Sequence, residues 1–168
     1  MGIFRPRNRF YRVTDITPEF LLENGIDTLL LDADNTLSLH HSLTPHEGVP
    51  EWLDEMRKNG IKLMIVSNSN EMRVGVFAAV LGLPFEYRSL KPLPRGIKRA
   101  LSRLGSNKEH TALVGDQLLT DVLGARLAGV RMLLVRYIKK EDGVGFRIKR
   151  GIEKVVLAGL DYKKKGDK

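Results

Sequence analysis

The stretch Leu29-Leu30-Leu31-Asp32-Ala33-Asp34-Asn35-Thr36-Leu37 decides how the rest of the chain is read. Three consecutive leucines have the character of a parallel strand buried on both faces. Two carboxylates, two positions apart, follow where that strand should stop. Ligands of open α/β sheets bind just outside the carboxyl ends of the strands. Acidic groups there cost free energy unless a cation meets them, and a divalent metal is the obvious candidate. An isolated Asp-x-Asp pair also fits a solvated loop or a calcium site, so the other strand ends decide.

Downstream, Lys62-Leu63-Met64-Ile65-Val66 reads as a second strand ending on Ser67-Asn68-Ser69-Asn70. A helix is expected from about Glu71 to Leu81, closed by Gly82. Phe85-Glu86-Tyr87 is a short third strand leading to Lys91-Pro92, and Pro94 opens a helix to about Leu104, stopped by Gly105. Thr111-Ala112-Leu113-Val114 forms a fourth strand ending on Gly115-Asp116. Residues 120–128 are expected to be helical and 131–137 to form a fifth strand. Upstream, Thr17 caps a helix begun by Pro18 and running to about Asn24. The first strand then covers about 27–33. Pro50 starts a further helix, with Trp52, Leu53 and Met56 on one face, ending at Asn59-Gly60. Residues 143–160 are expected to close the domain with a helix over the sheet. Strands alternating with helices across short loops predict an α/β fold, a three-layer Rossmann-like parallel sheet with helices on both faces.

The length of 168 residues fits one domain, 1–168, with a basic N-terminal arm over about 1–13 and a basic tail over about 161–168. Zero cysteines exclude disulfides, thiolate catalysis and Cys-based zinc sites. No apolar run approaches the roughly 20 residues that span a bilayer, and no apolar signal core opens the chain. A cytoplasmic protein is the expectation. The net charge of +8 favours anionic partners: phosphorylated substrates, nucleic acid or an acidic lipid surface. The arm mixes Phe4, Arg5, Arg7, Arg9, Phe10, Tyr11 and Arg12. Such a mixture either lies on a phosphate-rich surface or packs on the domain with its charges in water, and the second is favoured. His40, His41 and His46 lack zinc spacing, and an adjacent pair does not point to one face, so they are not expected to hold a metal.

In a parallel sheet all these strand ends share one edge, which gathers Asp32, Asp34, Ser67, Asn68, Lys91, Asp116 and Asp121. Asp32-x-Asp34-x-Thr36 resembles motif I of the haloacid-dehalogenase (HAD) phosphohydrolases, Ser67 motif II, Lys91 motif III, and Gly115-Asp116-x-x-x-x-Asp121 the acidic motif IV. More narrowly, Asp-Ile-Thr-Pro-Glu at 15–19, Asp34-Asn35-Thr36-Leu37, Ser67-Asn68-Ser69-Asn70, Lys91-Pro92 and residues 115–122 resemble the bacterial YqeG family. These are IIIA-type HAD phosphatases, related to mitochondrial phosphatases acting on phosphatidylglycerophosphate. Ala33 stands where a larger aliphatic is common.

The resemblance implies a Mg²⁺-dependent phosphomonoester phosphatase working through an aspartyl-phosphate on Asp32, with Asp34 as general acid and base. It implies that Lys91 balances phosphate and Asp32, and that Thr36, Ser67 and Asn68 contact the substrate. The implied metal ligands are the Asp32 side chain, the Asp34 backbone carbonyl and Asp116, with Asp121 orienting Lys91 or the metal's waters. About thirty residues separate Thr36 from Ser67 and about twenty separate Asn68 from Lys91, too few for a cap domain of roughly 50. A capless, open site is expected, suited to substrates whose bulk stays outside. Phosphatidylglycerophosphate is the favoured substrate, its headgroup met at an anionic membrane on which the basic termini hold the protein peripherally, at the inner face. The enzyme alternative is a phosphatase acting on a nucleotide, a polynucleotide end or another small phosphomonoester. The alternative of another class is a non-catalytic basic protein binding RNA or a membrane.

Overall fold

Side chains alternate across a strand, so three leucines in a row are buried only where both faces of a sheet are covered. The protein, in a computed structural model that describes residues 8–40 and 42–136, meets that requirement. Six strands, β1 (Asn8–Phe10), β2 (Thr28–Leu31), β3 (Lys62–Val66), β4 (Phe85–Glu86), β5 (Thr111–Gly115) and β6 (Arg131–Val135), form one sheet in the order β1-β6-β5-β2-β3-β4. Every pairing is parallel.

Leu29 and Leu31 face a cluster with Leu21 of α1 (Pro18–Glu23), Trp52, Leu53 and Met56 of α2 (Val49–Lys58), and Val74 and Phe77 of α3 (Glu71–Leu81). Leu30 points the other way, into Ile97, Ala100 and Leu101 of α4 (Arg95–Leu104) and Ala125 and Ala128 of α5 (Leu123–Ala128). The sheet is thus the middle layer of three. Local signals set the helix starts: the Thr17 hydroxyl accepts from the Phe20 amide at 3.2 Å and the Asn70 side chain from the Arg73 amide at 3.0 Å.

From β2 the chain steps through β3 to β4, then crosses the sheet by α4 to β5 and steps the opposite way to β6. The helices that follow β2 and β5 therefore lie on opposite faces, although the two strands are neighbours. That reversal opens a crevice at their carboxyl ends. Leu31 pairs with Ile65 and Val114, which brings Asp32, Ser67 and Asp116 out of the sheet at nearly one level. The stretch from β2 to β3 holds a loop and α2, and that from β3 to β4 holds α3. No inserted domain stands in either among the described residues.

Two elements differ from the sequence reading. Residues 8–10, expected only as part of an arm packed on the domain, form an edge strand, with Asn8, Arg9 and Phe10 opposite Leu133, Leu134 and Val135. Phe10 is buried and meets Phe20 edge-on at 5.1 Å. Three residues carry no readable period, and the partner strand lies more than a hundred residues away. The helix expected over 120–128 instead opens with a wide π-type turn at Leu118–Val122 before α5 begins. The rest of the arm, Tyr137, the closing helix expected at 143–160 and the tail at 161–168 lie outside the described residues. Among the described residues, no helix is long and apolar enough to cross a membrane.

Leu30 is fully buried at the centre of the sheet, so Leu30→Ala should lower unfolding free energy by about 3 kcal/mol. Urea denaturation should show a lower midpoint with an unchanged m-value.

Candidate active site

Asp32 is the first residue beyond β2, and its amide donates to the Val114 carbonyl at 2.9 Å, which ties it to β5. The Lys91 ammonium, buried from solvent, donates to Asp32 Oδ1 at 2.6 Å and lies 2.8 Å from Asp121 Oδ1. A lysine reaches such a position only if its loop is held from behind. Asn68 does this: its Oδ1 accepts from the Lys91 amide and from the Ser89 hydroxyl, each at 2.8 Å, and its Nδ2 donates to the Lys91 carbonyl at 2.9 Å. The Ser89 amide also donates to the Ser67 carbonyl at 3.0 Å. α4 approaches the same loop so closely that a Cβ on Gly96 would overlap the Ser89 backbone. The Lys91–Pro92 peptide bond is cis.

At the end of β5, Asp116 and Asp121 are both buried. Asp121 Oδ2 accepts from the Gln117 amide at 3.1 Å, and the carboxylate sits where a Cβ on Gly115 would be, so residue 115 has to be glycine. Asp32, Asp116 and Asp121 each offer an oxygen within 4.8 Å of the others. One lysine cannot balance three buried carboxylates. Burial pushes the Asp32 carboxyl up to about 7; Lys91 opposes the shift, while the charges of Asp121 and Asp34 add to it. Burial works to lower the Lys91 ammonium, but Asp121 and Asp32 outweigh it and leave its pKa raised. The donors are all hard oxygens and the surplus charge is negative, which fits a divalent cation such as Mg²⁺.

Asp34 stands on the solvent side of this centre. It is ion-paired with Arg73 Nη2 and lies 3.5 Å from His40 Nδ1. Arg73 Nη1 donates to the Ser69 hydroxyl at 3.0 Å. Asp34, Ser67, Ser69, Arg73 and Leu43 line a small open cleft. Ser67 is buried at its floor, and its hydroxyl accepts from the Ser69 amide at 3.2 Å.

The fold thus gathers Asp32, Lys91, Asp116 and Asp121, with Asp34 and Ser67 bordering the cleft beside them. Two expected contact residues turn their side chains elsewhere. The Asn68 side chain is turned inward onto the Lys91 loop. Thr36 lines a separate cavity of about 160 Å³ with Arg12, Val13, Thr14, His46 and Val49. Arg73 escaped the sequence reading, and His40 was weighed there only as a metal ligand, not as a neighbour of Asp34. The available signal for Arg73 was its place one helical turn beyond Ser69, at the start of the helix leaving a site strand; His40 offered none beyond its loop.

A parallel sheet with this acidic and lysine-bearing edge defines a class of hydrolase, and residues 10–129 match the haloacid dehalogenase-like hydrolases. The chain belongs to that family. It is 39% identical over 160 residues to the "Probable phosphatase YqeG" of Bacillus subtilis, an alignment covering 95% of this chain and 93% of that protein. It is 32% identical over 117 residues to the pyrophosphatase PpaX of Halalkalibacterium halodurans, covering 62% of this chain and 54% of the relative. Among solved structures, the cobalt-bound deoxy-D-mannose-octulosonate 8-phosphate phosphatase of Haemophilus influenzae shares the fold, with TM-score 0.54 and 17% identity over 82% of this chain and 90% of that one. The protein is a phosphatase of the HAD family.

Two outcomes test this centre. The raised Asp32 carboxyl holds its proton more tightly in the folded chain than at its ordinary value of 3.8. Its contribution to stability is therefore complete below about pH 4 and lost as pH rises through about 7. Melting temperature of the metal-free protein should fall between pH 5 and pH 8 by roughly 4–8 °C; the fall should shrink in Asp32→Asn and on adding Mg²⁺. Asn68→Ala removes three hydrogen bonds behind Lys91. It should cost about 2–3 kcal/mol of stability and roughly tenfold or more in kcat, measured by denaturation and aryl-phosphate turnover.

Proposed function

We propose that the protein is a Mg²⁺-dependent phosphomonoester phosphatase with Asp32 as nucleophile and phosphatidylglycerophosphate as substrate. The observation that carries the catalytic reading is Lys91, buried between Asp32 and Asp121 with its Nζ 2.6 Å from Asp32 Oδ1. A phosphomonoester dianion repels an attacking carboxylate, so a fixed cation beside the nucleophile lowers the barrier. Lys91 also holds the Asp32 carboxylate in one orientation, and Asp121 holds Lys91.

Asp32 and Asp116 would hold the metal, with the Asp34 backbone carbonyl. When bound, Mg²⁺ supplies charge neutralisation for the transferring phosphoryl group. An oxygen of Asp32 forms a bond to phosphorus as the bond to the leaving oxygen breaks, and the Asp34 carboxylic acid gives that alkoxide its proton. The resulting Asp34 carboxylate then takes a proton from water. The hydroxide oxygen bonds to phosphorus, the bond to Asp32 breaks, and inorganic phosphate leaves. Arg73 and His40 hold Asp34 at the cleft edge between these two duties. Ser67 and the amides that follow it face the phosphoryl oxygens.

Support for a lipid substrate is the motif resemblance to the YqeG family, which implies a relation to phosphatidylglycerophosphate phosphatases, together with the open cleft and the net charge of +8. Likeness to pyrophosphatase PpaX favours a second reading, a small soluble phosphate compound. Phosphate release should be measured with phosphatidylglycerophosphate beside a panel of soluble phosphomonoesters, with Asp32→Asn as the blank. Wild type should release phosphate from the lipid with Mg²⁺, and Asp32→Asn should lose at least about a thousandfold in kcat. Activity confined to soluble esters would select the second reading.

A further inference from the structure

Nine large apolar side chains are exposed among the described residues, and five of them, Leu39, Leu43, Met72, Leu90 and Leu93, lie where the chain leaves β2, β3 and β4 at their carboxyl ends. Singly exposed leucines are ordinary, whereas their concentration on the edge that holds Asp32 and Lys91 is not. Leu90 directly precedes Lys91, is 55% exposed, and is held at φ 57°, a strained conformation for a leucine. Leu93 is 56% exposed. With Pro94, Arg95 and Lys98, the two leucines line an open groove of about 610 Å³.

The charge around this groove is one-sided. From Tyr87 to Leu104 the sequence carries Arg88, Lys91, Arg95, Lys98, Arg99 and Arg103 and no carboxylate except those it borrows from outside. Arg99 and Arg103 are paired with Glu86, and Lys91 belongs to the buried centre. Arg88, Arg95 and Lys98 are exposed cations. On the α3 side Met72 has Glu71 beside it, so the cationic face is centred on the β4–α4 loop and α4.

We propose that this rim docks on an anionic lipid surface: Leu90 and Leu93 enter the headgroup layer while Arg88, Arg95 and Lys98 meet lipid phosphates. Apolar residues set among unneutralised cations match a surface that is anionic outside and apolar beneath. The contact presents the cleft to a phosphomonoester embedded in that same surface. The inference rests on the lipid-substrate reading above and places the membrane contact on the catalytic rim rather than on the basic termini.

Flotation of the full chain tests it, using vesicles of phosphatidylcholine with about one-third phosphatidylglycerol at low salt. Wild type should float with these and not with pure phosphatidylcholine. A Leu90→Asn/Leu93→Ser/Lys98→Glu variant should lose at least about tenfold in vesicle binding, since each cation alone contributes about fivefold. Its turnover of a soluble aryl phosphate should stay within about twofold. Asparagine tolerates the left-handed backbone at position 90. Should the triple variant fold poorly, Lys98→Glu alone, on the outer face of α4, should still weaken vesicle binding severalfold. Wild type that stays unbound, or a folded variant that floats as wild type does, overturns the proposal. Wild type that binds through the rim but leaves vesicle phosphatidylglycerophosphate intact refutes the lipid-substrate reading alone. A variant that keeps full activity on that lipid in vesicles refutes the docking surface alone.

Discussion

The buried contact of Lys91 with Asp32 and Asp121 is the constraint on which the rest of this edge depends. A lysine withdrawn from water is costly unless carboxylates meet it, and carboxylates withdrawn from water are costly unless cations meet them. Neither side tolerates misplacement, so each is braced. Asn68 fixes the Lys91 backbone at both its amide and its carbonyl. Gly96 lets α4 press against Ser89, and Gly115 leaves room for the Asp121 carboxylate. These residues do no chemistry of their own; they fix where the charges stand.

The sheet explains why the charges meet at all. β2 and β5 are neighbours whose outgoing helices lie on opposite faces, so their carboxyl ends stay uncovered. Asp32 and Asp116 leave the sheet at this reversal, and the cation-binding potential of the edge is a consequence of strand order. Among the described residues, the cleft beside it is bounded by short loops and the first turns of α3, with no second domain over it. An open cleft leaves the substrate's bulk to be recognised by the rim, which is why the character of the rim side chains matters.

Much of the fold was legible because its signals are local. Leu29-Leu30-Leu31 needs two covered faces, Thr17-Pro18 and Asn70 cap helices, and glycines follow the last turns of α3 and α4. β1 was not legible, because Asn8-Arg9-Phe10 becomes a strand only through β6. The π-type turn at Leu118–Val122 was hidden as well: its residues suit an ordinary helix, and the departure places Asp121 under Gly115 beside Lys91.

The sequence by itself determined the order of strands and helices from α1 to β6 and the chemical identity of the groups at each strand end. Those follow from hydrophobic period, capping and residue type, which are properties of neighbouring positions. Tertiary structure alone decided which of those groups meet and what each one touches. It set Lys91 between two aspartates, turned Asn68 inward as a brace, carried Thr36 to a separate cavity, and brought Arg73 onto Asp34. These contacts join positions up to 59 residues apart, so only strand order and helix packing could fix them.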